Sequence, residues 1–198
     1  MTHRESTAGG NQHGRLFGAK QGFGIEVMTE PGLSAPSAVW GRMRVWCAGE
    51  SIGDFSEPHC ALYESYLGFK RLAGRLPNLW HVELDGLSDQ DLWNHFDGLL
   101  YGYRGDEPQP DDRTLEQCRA DEQTWGDYNF LTNWGEQFDD DGKSFILCRS
   151  NGEVLILNRA FSEEHGLSAT LPVADVLGAI FQFLEWFESE ANRLASPI

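Results

Sequence analysis

Two apolar runs separated by three turn residues constrain this chain more than any other feature. Ser144-Phe145-Ile146-Leu147-Cys148-Arg149 and Glu153-Val154-Leu155-Ile156-Leu157-Asn158 flank Ser150-Asn151-Gly152. An Asn-Gly pair accepts the positive φ of a tight turn, so the segment predicts a hairpin of two buried strands. The fold must therefore contain an antiparallel sheet.

Earlier segments extend that picture. In Phe23-Gly24-Ile25-Glu26-Val27-Met28, Phe23, Ile25 and Val27 form one apolar row. A second strand runs over 39–47: Val39, Met43, Val45 and Cys47 face one way, and Trp40, Arg42, Arg44 and Trp46 the other. Gly41 leaves a gap in the inward row or marks a bulge. Ile52 to Phe55 reads as a short return strand. Pro58 opens a helix to about Leu76, striped by Leu62, Tyr66, Phe69, Leu72, Ala73 and Leu76. Ser88 caps a second helix, with Leu92, Phe96, Leu99 and Leu100 inside, and Gly102 ends it.

Residues 104–141 predict a long acidic loop with one short helix from Thr114 to Cys118. Tyr128 to Thr132 reads as a strand. Pro172 starts a final helix to about Leu194, striped by Val173, Val176, Leu177, Ile180, Leu184, Phe187 and Ala191. Strands and helices thus come in groups rather than alternating. The expected class is α+β, an antiparallel sheet with helices packed on one face. One domain over 15–198 is expected, and the polar, Gly-rich residues 1–14 read as a disordered N-terminal extension.

The chain has 198 residues and a formal net charge of −16, and the charge is uneven. Between Arg104 and Asp141, three basic residues face twelve acidic ones. Trp125, Tyr128, Phe130 and Trp134 are mixed among them. Such a field repels nucleic acid and anionic membrane and speeds capture of a basic partner. With 40% hydrophobic residues and seven Trp, a sizeable core is still expected. No apolar run suits a membrane span, and the N-terminus lacks the apolar centre of a secretory signal, so a cytoplasmic location is expected.

Motifs of catalysis are thin. No Walker A, nucleophile elbow, C-x-x-C or H-E-x-x-H pattern occurs. Asp139-Asp140-Asp141-Gly142 begins like a calcium loop but lacks the ligand spacing and the distal Glu. Glu57, His59 and Cys60 contain the elements of a nucleophile and base, yet adjacent residues rarely face each other on a helix. Asp89, Asp91 and Asp97 around His95 read as surface pairing rather than a metal cluster. Cys47 and Cys148 read as reduced core thiols. No cofactor or metal is expected. Trp40 and Trp46 flanking Arg42 and Arg44 fit cation–π packing on a half-exposed sheet, with an interaction surface as the alternative.

Leu16-Phe17-Gly18-Ala19-Lys20-Gln21-Gly22-Phe23-Gly24-Ile25-Glu26 matches an opening of the form hydrophobic-F-G-x-K-x-x-F-x-I-E. Trp40 to Asp54 matches a G-x-x-x-x-W-x-x-G-x-x-I-G-D hairpin through Gly41, Trp46, Gly49, Ile52, Gly53 and Asp54. Together they resemble the immunity protein 42 family of bacterial polymorphic toxin systems. The resemblance implies a non-enzymatic protein that binds and neutralises a cognate toxin domain, with no catalytic residues to carry over. It also implies that residues 1–14 precede the family's usual start.

Charge and resemblance together predict a toxin partner with a basic surface. Its interface is expected on Asp111, Asp112, Glu116, Asp121, Glu122, Trp125 and Tyr128, aromatic anchors inside a charged rim. Two other classes compete. A small metal-dependent hydrolase would hold a metal or turn over a generic ester. A self-associating scaffold would show concentration-dependent mass.

Overall fold

The computed structural model describes residues 14–56, 59–104, 107–108, 112–139, 142–160 and 166–195. The α+β class holds, with the strands divided between two principal antiparallel sheets. The first contains β1 (Arg15–Gly18), β2 (Phe23–Thr29), β3 (Trp40–Cys47) and β4 (Glu50–Ile52), in that order. β5 (Cys60–Ala61) pairs with the Trp40–Gly41 end of β3. In register, Phe23 opposes Cys47, Ile25 opposes Val45 and Val27 opposes Met43, and this inward row is buried. The place of Gly41 in the row is explained by crowding. A Cβ there would lie 2.3 Å from the Met28 carbonyl oxygen, so backbone occupies the space of a side chain.

After β5 come α1 (Tyr63–Arg75) and α2 (Asp89–Tyr101). Ser88 caps α2 by accepting from the Asp91 amide, and Gly102 ends it at φ +73°, as the sequence indicates. α1 begins later than expected, because Cys60 and Ala61 are drawn into the sheet. Pro58, the expected helix start, lies outside the described residues, as do residues 1–13 of the expected extension. The two-residue strands β6 (Tyr103–Arg104) and β7 (Glu107–Pro108) pair with each other.

The acidic segment is helical where a loop was expected. α3 (Leu115–Trp125) starts at a full capping box formed by Thr114 and Gln117, and α4 (Glu136–Asp139) follows. The strand expected over Tyr128–Thr132 is absent. A 3-10 turn, Gly126–Tyr128, and one bridge from Asn129 to Phe145 stand there. Leu131 and Asn133 both have positive φ, which no extended strand accommodates.

The predicted hairpin is β8 (Gly142–Cys148) with β9 (Glu153–Ala160), turning through Gly152 at φ +81°. Its third strand is β10 (Leu167–Pro172), which pairs with β9. Pro172 ends that edge strand, and α5 (Val173–Ala195) starts directly after it. α5 packs on α1, on β1 and β2 of the first sheet, and on β9 and β10 of the second. Phe145 of the second sheet is met by Trp93 and Phe96 of α2. Among the described residues, no helix is long and apolar enough to cross a membrane.

Candidate functional site

α3 has only one fully buried residue, Trp125, so it is held to the protein by its C-terminal end. The Trp125 indole meets His95 at 4.6 Å and His81 at 5.0 Å, both edge-on, and Tyr128 stacks on Phe96 at 4.9 Å. At the other end Arg113 donates to the Leu99 carbonyl at 2.9 Å and to Asp121 at 2.6 Å. These contacts lay α3 along α2 and leave most of its other side chains, though not the half-buried Cys118, facing solvent.

The predicted interface residues separate accordingly. Asp112, Glu116 and Glu122 are exposed and form no ion pair among the described residues. Asp121 is half-buried against Arg113. Asp111 lies outside the described residues. Trp125 and Tyr128, expected as surface anchors, are instead 5% and 4% exposed. Trp125 packs on His81, His95 and Phe96, and Tyr128 on Phe96 and Trp125; burial with the neighbouring Asp127 pushes the Tyr128 hydroxyl up to about 12.

Two features of this face lay outside the sequence reading. The 3-10 turn Val82–Leu84 adjoins α3 through His81, and its Glu83 lies close enough, with Asp121, to act on the His95 charge. Val82 is 72% exposed and Leu115 at the start of α3 is 67% exposed, so apolar contact area does exist beside the acids. The available signal was two apolar residues flanked by charge, Val82-Glu83 and Leu115-Glu116.

His95 is buried enough that desolvation holds its pKa below the ordinary value, and the adjacent His81 adds to that. Glu83 and Asp121 offset it only in part. Its Nε2 is buried and has no hydrogen-bond partner among the described residues. Asp91, the residue four before it, is engaged by the Ser88 hydroxyl at 2.6 Å instead.

The other chemical candidates become structural. His59 stacks on Trp40 at 4.4 Å and bonds Glu30, whereas the neighbouring Cys60 is buried in β5. Glu57, Asp140 and Asp141 lie outside the described residues. Asp89 bonds Arg149 and Ser168, and Asp97 takes Lys143 at 2.6 Å in a buried pair. None of the four cysteines forms a disulfide, and burial raises the Cys47 thiol to about 12. Among the described residues no group of three His, Cys, Asp or Glu side chains could hold a metal.

On the outer face of the first sheet, Arg44 lies over both Trp46 and Phe55, at 4.5 and 4.4 Å. Glu26 accepts from Arg44, the Trp46 indole and Lys20 at 2.7, 2.8 and 3.2 Å. Burial works against the Glu26 carboxylate, but these hydrogen bonds outweigh it and hold its pKa below the usual value. The cluster satisfies itself, as cation–π packing on a half-exposed sheet requires.

Comparison with known proteins completes the picture. A solved structure, CdiI from Burkholderia dolosa AUO158, superposes with a TM-score of 0.60 at 13% identity, covering 87% of this chain and 99% of its own. At that identity the likeness speaks for the fold. No curated protein matches the chain. The sequence model of immunity protein 42 matches residues 16–185, through both sheets and the acidic segment. The chain therefore belongs to the immunity protein 42 family and is a non-catalytic immunity protein that neutralises a toxin.

Proposed function

We propose that this protein neutralises its toxin, in the cytoplasm, by setting the solvent side of α3 and the adjoining Val82–Leu84 turn against a basic toxin surface. One observation carries the reading. Glu116 and Glu122 on α3, with Asp112 just before it, stand exposed and form no ion pair among the described residues, and the hold of α3 on the core comes from Trp125 and Arg113. Unpaired surface charges of one sign add nothing to the fold and repel one another. Their use is in association, where a single-sign face raises the encounter rate with an oppositely charged partner. Val82 and Leu115 supply the apolar contacts that Trp125 and Tyr128 do not. Asp111 belongs to the same segment.

The experiment pairs growth rescue with binding kinetics. Cells making the toxin domain encoded beside this protein are grown with the wild-type chain or with Glu116→Lys/Glu122→Lys. The double variant should keep its unfolding midpoint. It should associate with the toxin about tenfold more slowly at low salt, with a flatter salt dependence and a smaller change in dissociation. Unchanged association rate and salt slope would remove α3 from the interface.

A further inference from the structure

A cleft of 460 Å³ opens between the start of α1, the end of α5 and the loop at 37–39, elements that contribute nothing to the acidic face of α3. Its floor is aromatic. The rings of Tyr66 and Phe187 stack at 4.4 Å and 14°, and Tyr63 stacks beyond Tyr66 at 6.0 Å and 29°. Tyr66 is buried and fixed, whereas Tyr63 is 53% exposed and leaves a ring face open to solvent. At the rim stands Glu188. Its Oε1 accepts from the Tyr66 hydroxyl at 2.6 Å and from Lys70 at 3.2 Å. Its Oε2 takes no hydrogen bond among the described residues. The two donors hold the carboxylate below its ordinary pKa, so it is anionic at neutral pH.

Ring faces beside an open carboxylate oxygen select one kind of ligand. A cation gains from both the ring quadrupole and the carboxylate. An anion would be repelled by the carboxylate and could gain only from Lys70, whose ammonium is already engaged by the Tyr66 hydroxyl at 2.7 Å and by Glu188 at 3.2 Å, and an apolar group would bury the carboxylate oxygen without a partner. A planar guanidinium matches better than an ammonium, because it stacks flat on a ring and still donates along its edge. The net charge of −16 favours approach of cationic groups generally.

We propose that this cleft takes an arginine side chain of the toxin, its guanidinium laid against the Tyr63 ring and donating to Glu188 Oε2. The proposal rests on the reading that the partner's surface is basic, and it places a second contact away from α3.

The test begins without the toxin. The isotopically labelled full chain is titrated with N-acetyl-arginine amide and with N-acetyl-citrulline amide, a neutral probe of the same shape. Saturable NMR shifts are expected at the Tyr63 and Phe187 rings and the Asn192 amide. They should be about fivefold weaker with citrulline and absent in Tyr63→Ala and Glu188→Gln. Equal response to both probes, or shifts confined to α3, would overturn the proposal. In the second arm, Tyr63→Ala should weaken toxin binding about tenfold, mainly through faster dissociation. If the arginine probe seats in the cleft and Tyr63→Ala leaves toxin affinity unchanged, the occupant is not the toxin and the proposal fails. Neither arm depends on the charge reversal in α3, so the two readings fail separately.

Discussion

Replacing Gly68 by alanine separates two opposing effects within α1. On propensity alone, a glycine inside a helix costs about 1 kcal/mol relative to alanine, so the change should stabilise. The structure reverses the sign. A Cβ on Gly68 would lie 2.3 Å from Trp134 Cδ2 and 2.4 Å from Cε3, well inside contact distance. The indole has nowhere to retreat. It meets Phe69 at 5.3 Å and Phe130 at 5.5 Å, both edge-on, and the Trp134 carbonyl is held by the Ser65 hydroxyl at 2.6 Å. Forcing a methyl into such a site costs about 1–3 kcal/mol, enough to cancel the propensity gain and more. Gly68→Ala should therefore lose up to about 2 kcal/mol in urea unfolding followed by far-UV circular dichroism, with the slope unchanged. The second half of the cycle isolates the cause. In a Trp134→Leu background the same change should become neutral or stabilising, a coupling of about 2 kcal/mol. If Gly68→Ala stabilises the native chain, or costs the same in both backgrounds, the reasoning is wrong. The site also bears on the proposed interface, because Trp134 docks the acidic segment on α1.

Two further outcomes follow from the same geometry. His95 has its folded pKa depressed below the unfolded value of about 6.5, so its neutral form contributes stability above that pH. That contribution falls as pH drops from there through the folded pKa, and His95→Phe should flatten the stability profile across this window without loss at pH 8. Lys143→Met strands the Asp97 carboxylate, which is 2% exposed, and should cost about 3–5 kcal/mol in chemical unfolding; adding Asp97→Leu should recover most of it.

Legibility in the sequence followed the range of the forces. The β8–β9 hairpin, the ends of α2 and the alternation of β3 were readable because Asn151-Gly152, Ser88, Gly102 and Met43-Val45-Cys47 act within a few residues of themselves. β10 was missed because Pro172 fits both a helix start and the end of an edge strand, and only pairing with β9 decides between them. α3 was shortened because it buries Trp125 alone and so shows no apolar stripe, although Thr114 and Gln117 carried its cap in plain view. The same absence of a stripe hid the fate of Trp125 and Tyr128. Their burial depends on His95 and Phe96, which stand 30 and 32 residues earlier in the chain. The acids of the candidate face were legible by composition, whereas Val82 and Glu83 joined them only through folding.

The position of α5 has a consequence for the timing of protection. This helix closes apolar surface on both sheets, yet it follows every other described element in the order of synthesis. At ribosomal rates its 23 residues take about 1–5 s to make. Until they emerge, the inward rows of β1, β2, β9 and β10 lack their cover, and a nascent chain has an incomplete core to present to any partner. A premature stop just after Pro172 should therefore abolish rescue as completely as loss of the first sheet. Protection begins with finished molecules, so a cell exposed to the toxin depends on the stock it has already made.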